Sequence, residues 1–492
     1  MTAKNEFNIA MCFARAARSH PELEAVVAAD LSLSYAKLWR ISCGFAVKMQ
    51  ALSIDRSATV AVHTTDMVVA IATMFAASLL GARYVTLEQN LYTDGIISPT
   101  HCLRSPEVEP LGGIDYLTID ASWSLAAPLD IVASEHHFPG NENESDPWWV
   151  LHTSGTTGRP KYLIISQKAV YDRSMAVRGE FTPMVTRFCP LFPCFTRPFF
   201  VRATAALLNS CTIIDSVDIS FIQAQRVNLI CGSPRATVEW LGNRTISPRI
   251  PLLQVSGQKL SEASAIKLLD SFETVEDVYG SSETNKSFVN EKQLQGDNLV
   301  TFGRPQDSEV EIIDENGKRC AMGQKGTVRI RNGYMANAYI AEPAASAQAF
   351  RDGWFYPGDI GHWGPQGELL ITARIDDVIN LGGVKIDPFE VEAILMSTHG
   401  VNAAVVFADP IEMSPPRLVA MLMLSTNVSP DVCVAEAHSR CHSKLGEAMT
   451  PHMIYVVPHI PLNADGNPNR SECRNMAQTY DRTPNRTLPQ GI

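Results

Sequence analysis

The segment from residue 58 to residue 87 constrains the fold most. Residues 58–63 read as a buried strand, Met67–Leu80 as an apolar helix and residues 83–87 as a second strand. Two strands joined through a helix make a βαβ unit, which implies a parallel sheet with helices on its faces. The helix falls short of the ~20 apolar residues that a bilayer core demands, so it is expected inside the protein and no membrane span is expected. Residues 7–17 and 35–52 carry helical periodicity, and 25–27 with 33–35 suggests a short hairpin. A second αβ series runs from Tyr162 to Glu283, with strands at 162–165, 211–214, 229–231 and 252–255 and a helix at 263–272. From Val300 short strands and turns take over, and near Arg374 a mixed tail begins, helical at 389–396 and strand-like at 402–407. The expected class is α/β. A large N-terminal domain (1–373) would hold two αβ sheet subdomains and a small β-rich subdomain at about 300–373. A small α+β C-terminal domain (374–492) would follow.

The net charge of −11 gives no support to nucleic acid or an anionic membrane as partner. Eleven cysteines lie scattered without a C-x-x-C pair or zinc-like spacing, so reduced, buried thiols are expected. The first ten residues, MTAKNEFNIA, lack a long apolar core, so no signal peptide is read and a cytoplasmic location is expected.

Four stretches carry chemistry. The first, WWVLHTSGTTGRPK at 148–161, is an apolar lead-in followed by glycine, hydroxyl and basic residues. Gly155 and Gly158 permit close backbone approach, Thr153, Ser154, Thr156 and Thr157 offer hydroxyls, and Arg159 and Lys161 add charge. Such a loop suits a phosphate nest, and equally a polar turn; the usual G-x-x-x-x-G-K-[ST] spacing is absent. The second, Asp277-Val-Tyr-Gly-Ser-Ser-Glu283, places an aromatic ring at Tyr279 beside Gly280 and a carboxylate four residues on. A ring there can stack on a purine and a carboxylate can hold Mg²⁺, although a core tyrosine with a solvated glutamate has the same letters. The third, Gly353-Trp-Phe-Tyr-Pro-Gly-Asp359, puts Asp359 after a tight turn. The fourth runs from Ala373 to Glu392 through Arg374, Asp376, Gly382 and Gly383, and by itself reads as a turn and a helix capped near Asp387-Pro388.

In this order the four stretches resemble the adenylate-forming superfamily of acyl-CoA synthetases, nonribosomal-peptide adenylation domains and luciferases. The match covers roughly residues 7 to 470. The resemblance implies that Thr153, Ser154, Gly155, Thr156, Thr157, Gly158 and Lys161 cradle ATP phosphates. It sets Gly257 against the base, lays Tyr279 and Gly280 against adenine with Ser282 in place of the usual threonine, and gives Mg²⁺ to Glu283. Asp359 and Arg374 would hold the ribose, and Asp376 would be the hinge of a mobile C-terminal domain. The activity implied is ATP-dependent activation of a small carboxylic acid as acyl-AMP, with transfer to CoA or to the phosphopantetheine thiol of a carrier protein.

Three departures stand out. Where the family has a catalytic lysine, the stretch Pro461-Leu-Asn-Ala-Asp-Gly-Asn-Pro-Asn-Arg470 places Asn467, with Arg470 as one candidate substitute beside Lys385 and Lys259. A neutral side chain there removes positive charge from the adenylation transition state. Pro193 replaces a gating histidine, and Arg197 enters an apolar region, where it could meet a second anionic group on the acid, face solvent or pair with Glu180. The aspartate that holds an α-amino group is not apparent. An acid–thiol ligase leads; a member that has lost adenylation and acts on acyl-adenylate or only binds, and an amide-forming ligase, stay open.

Overall fold

The computed structural model describes residues 7–86, 95–124, 137–153, 161–296, 298–381, 384–408, 417–462 and 468–479. The βαβ reading at 58–86 holds. Thr59–His63 and Arg83–Thr86 pair in parallel around the helix Met67–Leu80. Asp66 starts that helix by accepting a hydrogen bond from the Val69 amide at 3.0 Å, satisfying a donor that the first turn leaves open. These strands belong to a six-stranded sheet in the order Leu117–Thr118, His101–Arg104, Thr59–His63, Arg83–Thr86, Pro147–Thr153, Lys161–Ser166. The last strand runs antiparallel to its neighbour and all other pairs are parallel.

Nine strands make the second sheet, in the order Asn298–Pro305, Asn285–Gln295, Phe272–Ser281, Ile250–Ser256, Leu229–Gly232, Arg187–Pro190, Thr212–Ile214, Glu24–Val27, Ser32–Ser34. One continuous apolar core joins both sheets through the helices Ile9–Ser19, Tyr35–Ala51, Met67–Leu80 and Arg197–Leu208. A second core covers the other face of the nine-stranded sheet, under Ile219–Ala224, Pro234–Leu241 and Glu262–Leu269.

Two expectations change here. The helix read at 263–272 ends at Leu269, and Phe272 opens the strand that runs to Ser281. That strand reverses into Asn285–Gln295 and then Asn298–Pro305, so residues 298–305 extend the large sheet instead of opening the β-rich unit. The β-rich unit is a separate sheet built from Glu309–Ile313 to Leu369–Arg374. Beyond it, Pro388–Met396, Pro430–Leu445 and Arg470–Gln478 pack on the three strands Val401–Ala408, Leu418–Leu424 and Met453–Val456. This tail fills two apolar cores drawn only from residues 379–477.

Candidate active site

Parallel strands of both sheets end at one cleft of about 680 Å³. Its walls follow the carboxyl ends of Pro147–Thr153, Leu229–Gly232, Ile250–Ser256 and Phe272–Ser281, the usual place for ligands in an α/β sheet. Thr153 and Lys161 face each other across the antiparallel pair that brackets 154–160. Ser154, Gly155, Thr156, Thr157 and Gly158 lie outside the described residues.

The turn after Phe272–Ser281 shows why glycine stands at 280. The strand pairing slips between Tyr279 and Gly280, and a Cβ on Gly280 would sit 2.0 Å from the Asn285 carbonyl oxygen. Close backbone approach therefore excludes any side chain there. Gly257, at the end of Ile250–Ser256, has φ +90 and lines the same cleft.

Just past this turn Glu283 is buried, and Tyr339 donates its hydroxyl to Glu283 Oε1 at 2.6 Å. Burial, reinforced by the Glu283 charge, pushes the Tyr339 phenol well above its ordinary range, so it remains a donor. Lys161 Nζ lies 5.1 Å from the Tyr339 ring centre, in cation–π range. Beneath them Arg173 is fully buried and donates to the carbonyls of Ser282 (3.1 Å), Glu283 (2.9 Å) and Tyr334 (3.2 Å). Burial first, then the Arg197 charge, pulls its guanidinium down to about 9. Neither Tyr339 nor Arg173 belongs to a motif read in the sequence.

Asp359 and Arg374 are directly opposed across the strands Asp359–Trp363 and Leu369–Arg374. Arg374 Nε stands 3.3 Å from Asp359 Oδ1, and Tyr279 donates its hydroxyl to Oδ2 at 2.5 Å. Burial raises the Asp359 carboxyl above the usual range, with Arg374 and Tyr279 opposing. The structure thus joins Tyr279, Asp359 and Arg374 into one cluster, and Glu283 lines the same cleft.

Another wall is polar and buried. Lys286 Nζ binds Glu180 Oε1 at 2.5 Å and Glu276 Oε2 at 3.2 Å. Gln254 bridges the same carboxylates at 2.7 and 2.8 Å, and Arg304 pairs with Glu276. Glu180 is therefore engaged by Lys286 and Gln254. Pro193, Arg197 and Arg202 also line the cleft.

The tail residues stand differently. Arg470 is partly buried, with Nη2 2.6 Å from Glu392 Oε1, Nε donating to the Val406 carbonyl at 3.2 Å and Nη1 3.8 Å from Asp377 Oδ2. It closes the tail's own packing and does not line the cleft. Asn467, Gly382 and Gly383 lie outside the described residues. Asp376 sits in the short helical turn Ile375–Asp377. Among the described residues no group of three or more His, Cys, Asp or Glu side chains could hold a metal, and no helix is long and apolar enough to cross a membrane.

Residues 13–340 match the family model described as AMP-binding enzyme. The chain belongs to that family. Residues 390–467 match the AMP-binding enzyme C-terminal domain. Oxalate–CoA ligase of Saccharomyces cerevisiae is 27% identical over 70% of this chain and 65% of its own length. Tyrocidine synthase 2 of Brevibacillus parabrevis is 23% identical over 94% of this chain and 14% of its own length. The chain thus spans just under two thirds of the first relative and a small part of the second. The o-succinylbenzoate CoA synthetase of Bacillus subtilis, solved with an acyl-adenylate, superposes with a TM-score of 0.80 at 20% identity, over 94% of this chain and 97% of that one. A likeness at that identity establishes the α/β fold with its small C-terminal unit.

Proposed function

We propose that this AMP-binding family member is an ATP-dependent acid ligase that forms an acyl-AMP and passes the acyl group to a thiol of CoA or of a carrier protein. The observation that carries the reading is one cleft lined by Thr153, Lys161, Glu283 and the Tyr279–Asp359–Arg374 cluster. A carboxylate oxygen of the acid attacks the α-phosphorus as the bond to pyrophosphate breaks. The thiol, losing its proton, then attacks the acyl carbon and AMP leaves. Asp359 would accept the ribose hydroxyls, since a carboxylate keeps lone pairs beyond those used by Arg374 and Tyr279. Tyr279 and Gly257 would flank the base, and Ser154–Gly158 with Lys161 would face the phosphates. Mg²⁺ usually takes one or two protein carboxylates with substrate phosphates and water, which suits the single carboxylate of Glu283. Bound there, it would neutralise phosphate charge, while Tyr339 and Arg173 fix the carboxylate and its backbone.

The domain division at 373/374, with Asp376 as hinge, belongs to the same proposal. The separate apolar cores of residues 379–477 support it. A second reading is a member weak in adenylation that starts from acyl-adenylate or only binds. Asn467 favours it, and so does Arg470, whose guanidinium is committed to Glu392.

The test is product analysis with ATP, Mg²⁺ and a panel of aliphatic, aromatic and dicarboxylic acids, trapping acyl groups with hydroxylamine and then supplying CoA or an amine. Wild type runs beside Lys161→Ala and Asn467→Lys. Acid-dependent AMP and pyrophosphate, lost in Lys161→Ala, support the ligase. Turnover by Asn467→Lys alone supports the second reading. ADP as product, or silence from both proteins with acyl-adenylate and CoA also inert, overturns the proposal.

A further inference from the structure

Arg202 sits in the helix Arg197–Leu208, is only 8% exposed and lines the cleft beside Phe192 and Cys231. Its Nε is buried without a hydrogen-bond partner, and no carboxylate lies within ion-pair distance among the described residues. The guanidinium carbon lies 5.7 Å from the centre of the Phe192 ring. Cys231, whose sulfur is a side-chain hydrogen-bond partner of Arg202, offers no counter-charge: burial pushes its thiol up to about 12, and it donates to Gln254 Oε1 at 3.4 Å. The adjoining network does not supply one either, because its two carboxylates, Glu180 and Glu276, are matched by Lys286 and Arg304. A buried cation left without an anion is strongly unfavourable, and the usual resolution is an anion brought by a ligand.

We infer that Arg202 is the receptor for a second carboxylate on the acid, so that the substrate class is a dicarboxylic acid. The inference rests on the ligase reading above for which carboxylate reacts, and on Arg202 itself for which one is held. One carboxylate is activated near Lys161 and Glu283. The other accepts paired hydrogen bonds from the guanidinium, the strongest geometry available to arginine. Monocarboxylic acids with apolar tails would leave Arg202 buried and unmatched, so the same residue that selects diacids selects against them.

The experiment compares matched pairs: succinate with butanoate, glutarate with pentanoate, phthalate with benzoate. Pyrophosphate release is read as kcat/KM for wild type, Arg202→Met and Arg202→Lys. Wild type is expected to favour the diacid of at least one pair, and Arg202→Met to lower that diacid-to-monoacid ratio roughly 30-fold or more, the cost of removing one member of a buried charge pair. Arg202→Lys, which keeps the charge, should recover part of the ratio. A wild type that favours the monoacid in every pair, or a ratio unmoved in a folded Arg202→Met, overturns the inference. If Arg202→Met does not fold, a ratio in Arg202→Lys equal to that of wild type overturns it too. Silence from every acid defeats the ligase reading alone. Calorimetric titration of wild type with the three diacids then decides the inference: saturable binding weakened by Arg202→Lys supports it, and no binding of any diacid refutes it.

Discussion

The two sides of the cleft are built by different means. On the Asp359 side the polar groups come from compact motifs, and each is anchored by a partner on a neighbouring strand or turn: Asp359 by Arg374 and Tyr279, Glu283 by Tyr339. On the Lys286 side no compact motif supplies the residues, although the contacts of both sides span long stretches of chain, 80 positions from Tyr279 to Asp359. Lys286 and Glu180 are separated by 106 positions, Gln254 and Glu180 by 74. In the proposed ligase the first side would hold the nucleotide common to every acid, and the second, where Arg202 lies, would meet the variable part of the acid. The first side's residues sit in short motifs that can be read in the sequence, whereas the second side's are recognisable only once the fold brings them together.

That contrast can be broken most forcefully at Lys286. Lys286→Met leaves Glu180 and Glu276 buried with less compensation and is expected to destabilise the fold by about 3–5 kcal/mol. The fall would be read by urea unfolding, with Glu180→Gln/Lys286→Met recovering part of it; a loss under ~0.5 kcal/mol would show the network to be solvated. Next comes Arg173→Met, which strips three buried carbonyls of a charged donor. At about 1.5–3 kcal/mol for hydrogen bonds to a charged group, it should cost at least that much stability and should weaken Mg²⁺-dependent ATP binding as well. An unchanged nucleotide affinity in the folded variant would separate Arg173 from the Glu283 turn.

Tyr339→Phe is smaller, removing one hydrogen bond to a carboxylate, at the low end of the same range, about 1.5 kcal/mol, seen in the same unfolding assay. A pH effect on the strand Phe272–Ser281 is read by a separate measurement, the pH dependence of stability. Burial raises the Asp277 carboxyl to about 7, against the pull of Lys292 and Lys259. In the unfolded chain the group ionises near 4, so between pH 4 and pH 7 the unfolded state sheds this proton first and stability declines as pH rises. Asp277→Asn should flatten that decline, improving relative to wild type from pH 4 to pH 8; parallel curves would contradict the assignment.

The βαβ units were legible because apolar strands and helices in a parallel sheet are buried on both sides and read as apolar runs. Tyr279, Glu283, Asp359 and Arg374 were legible because each sits in a short motif at a strand end. The strands Asn285–Gln295 and Asn298–Pro305 were not. Their letters are polar, and inward positions such as Lys286 are filled by paired charge, so the usual alternation of apolar and polar residues is missing. Arg173 reads as a surface residue of an ordinary helix, and its burial depends on carbonyls more than a hundred positions away. Tyr339 has no motif of its own, although an aromatic residue on each side of the cleft could have been sought as a partner for Glu283. Arg202 was overlooked beside Arg197, since sequence cannot say which of two arginines on one helix is left unmatched.

The central claim is that this cleft activates an acid with ATP. Exchange of labelled pyrophosphate into ATP, with and without acid, tests it most directly in wild type, Glu283→Gln and Asp359→Asn. We expect exchange only when acid is present, reduced at least roughly 100-fold in Glu283→Gln, as for loss of a group that holds charge at the reacting phosphates, and reduced in Asp359→Asn through weaker nucleotide binding. Exchange absent from folded wild type with every acid, or undiminished in both variants, would contradict it.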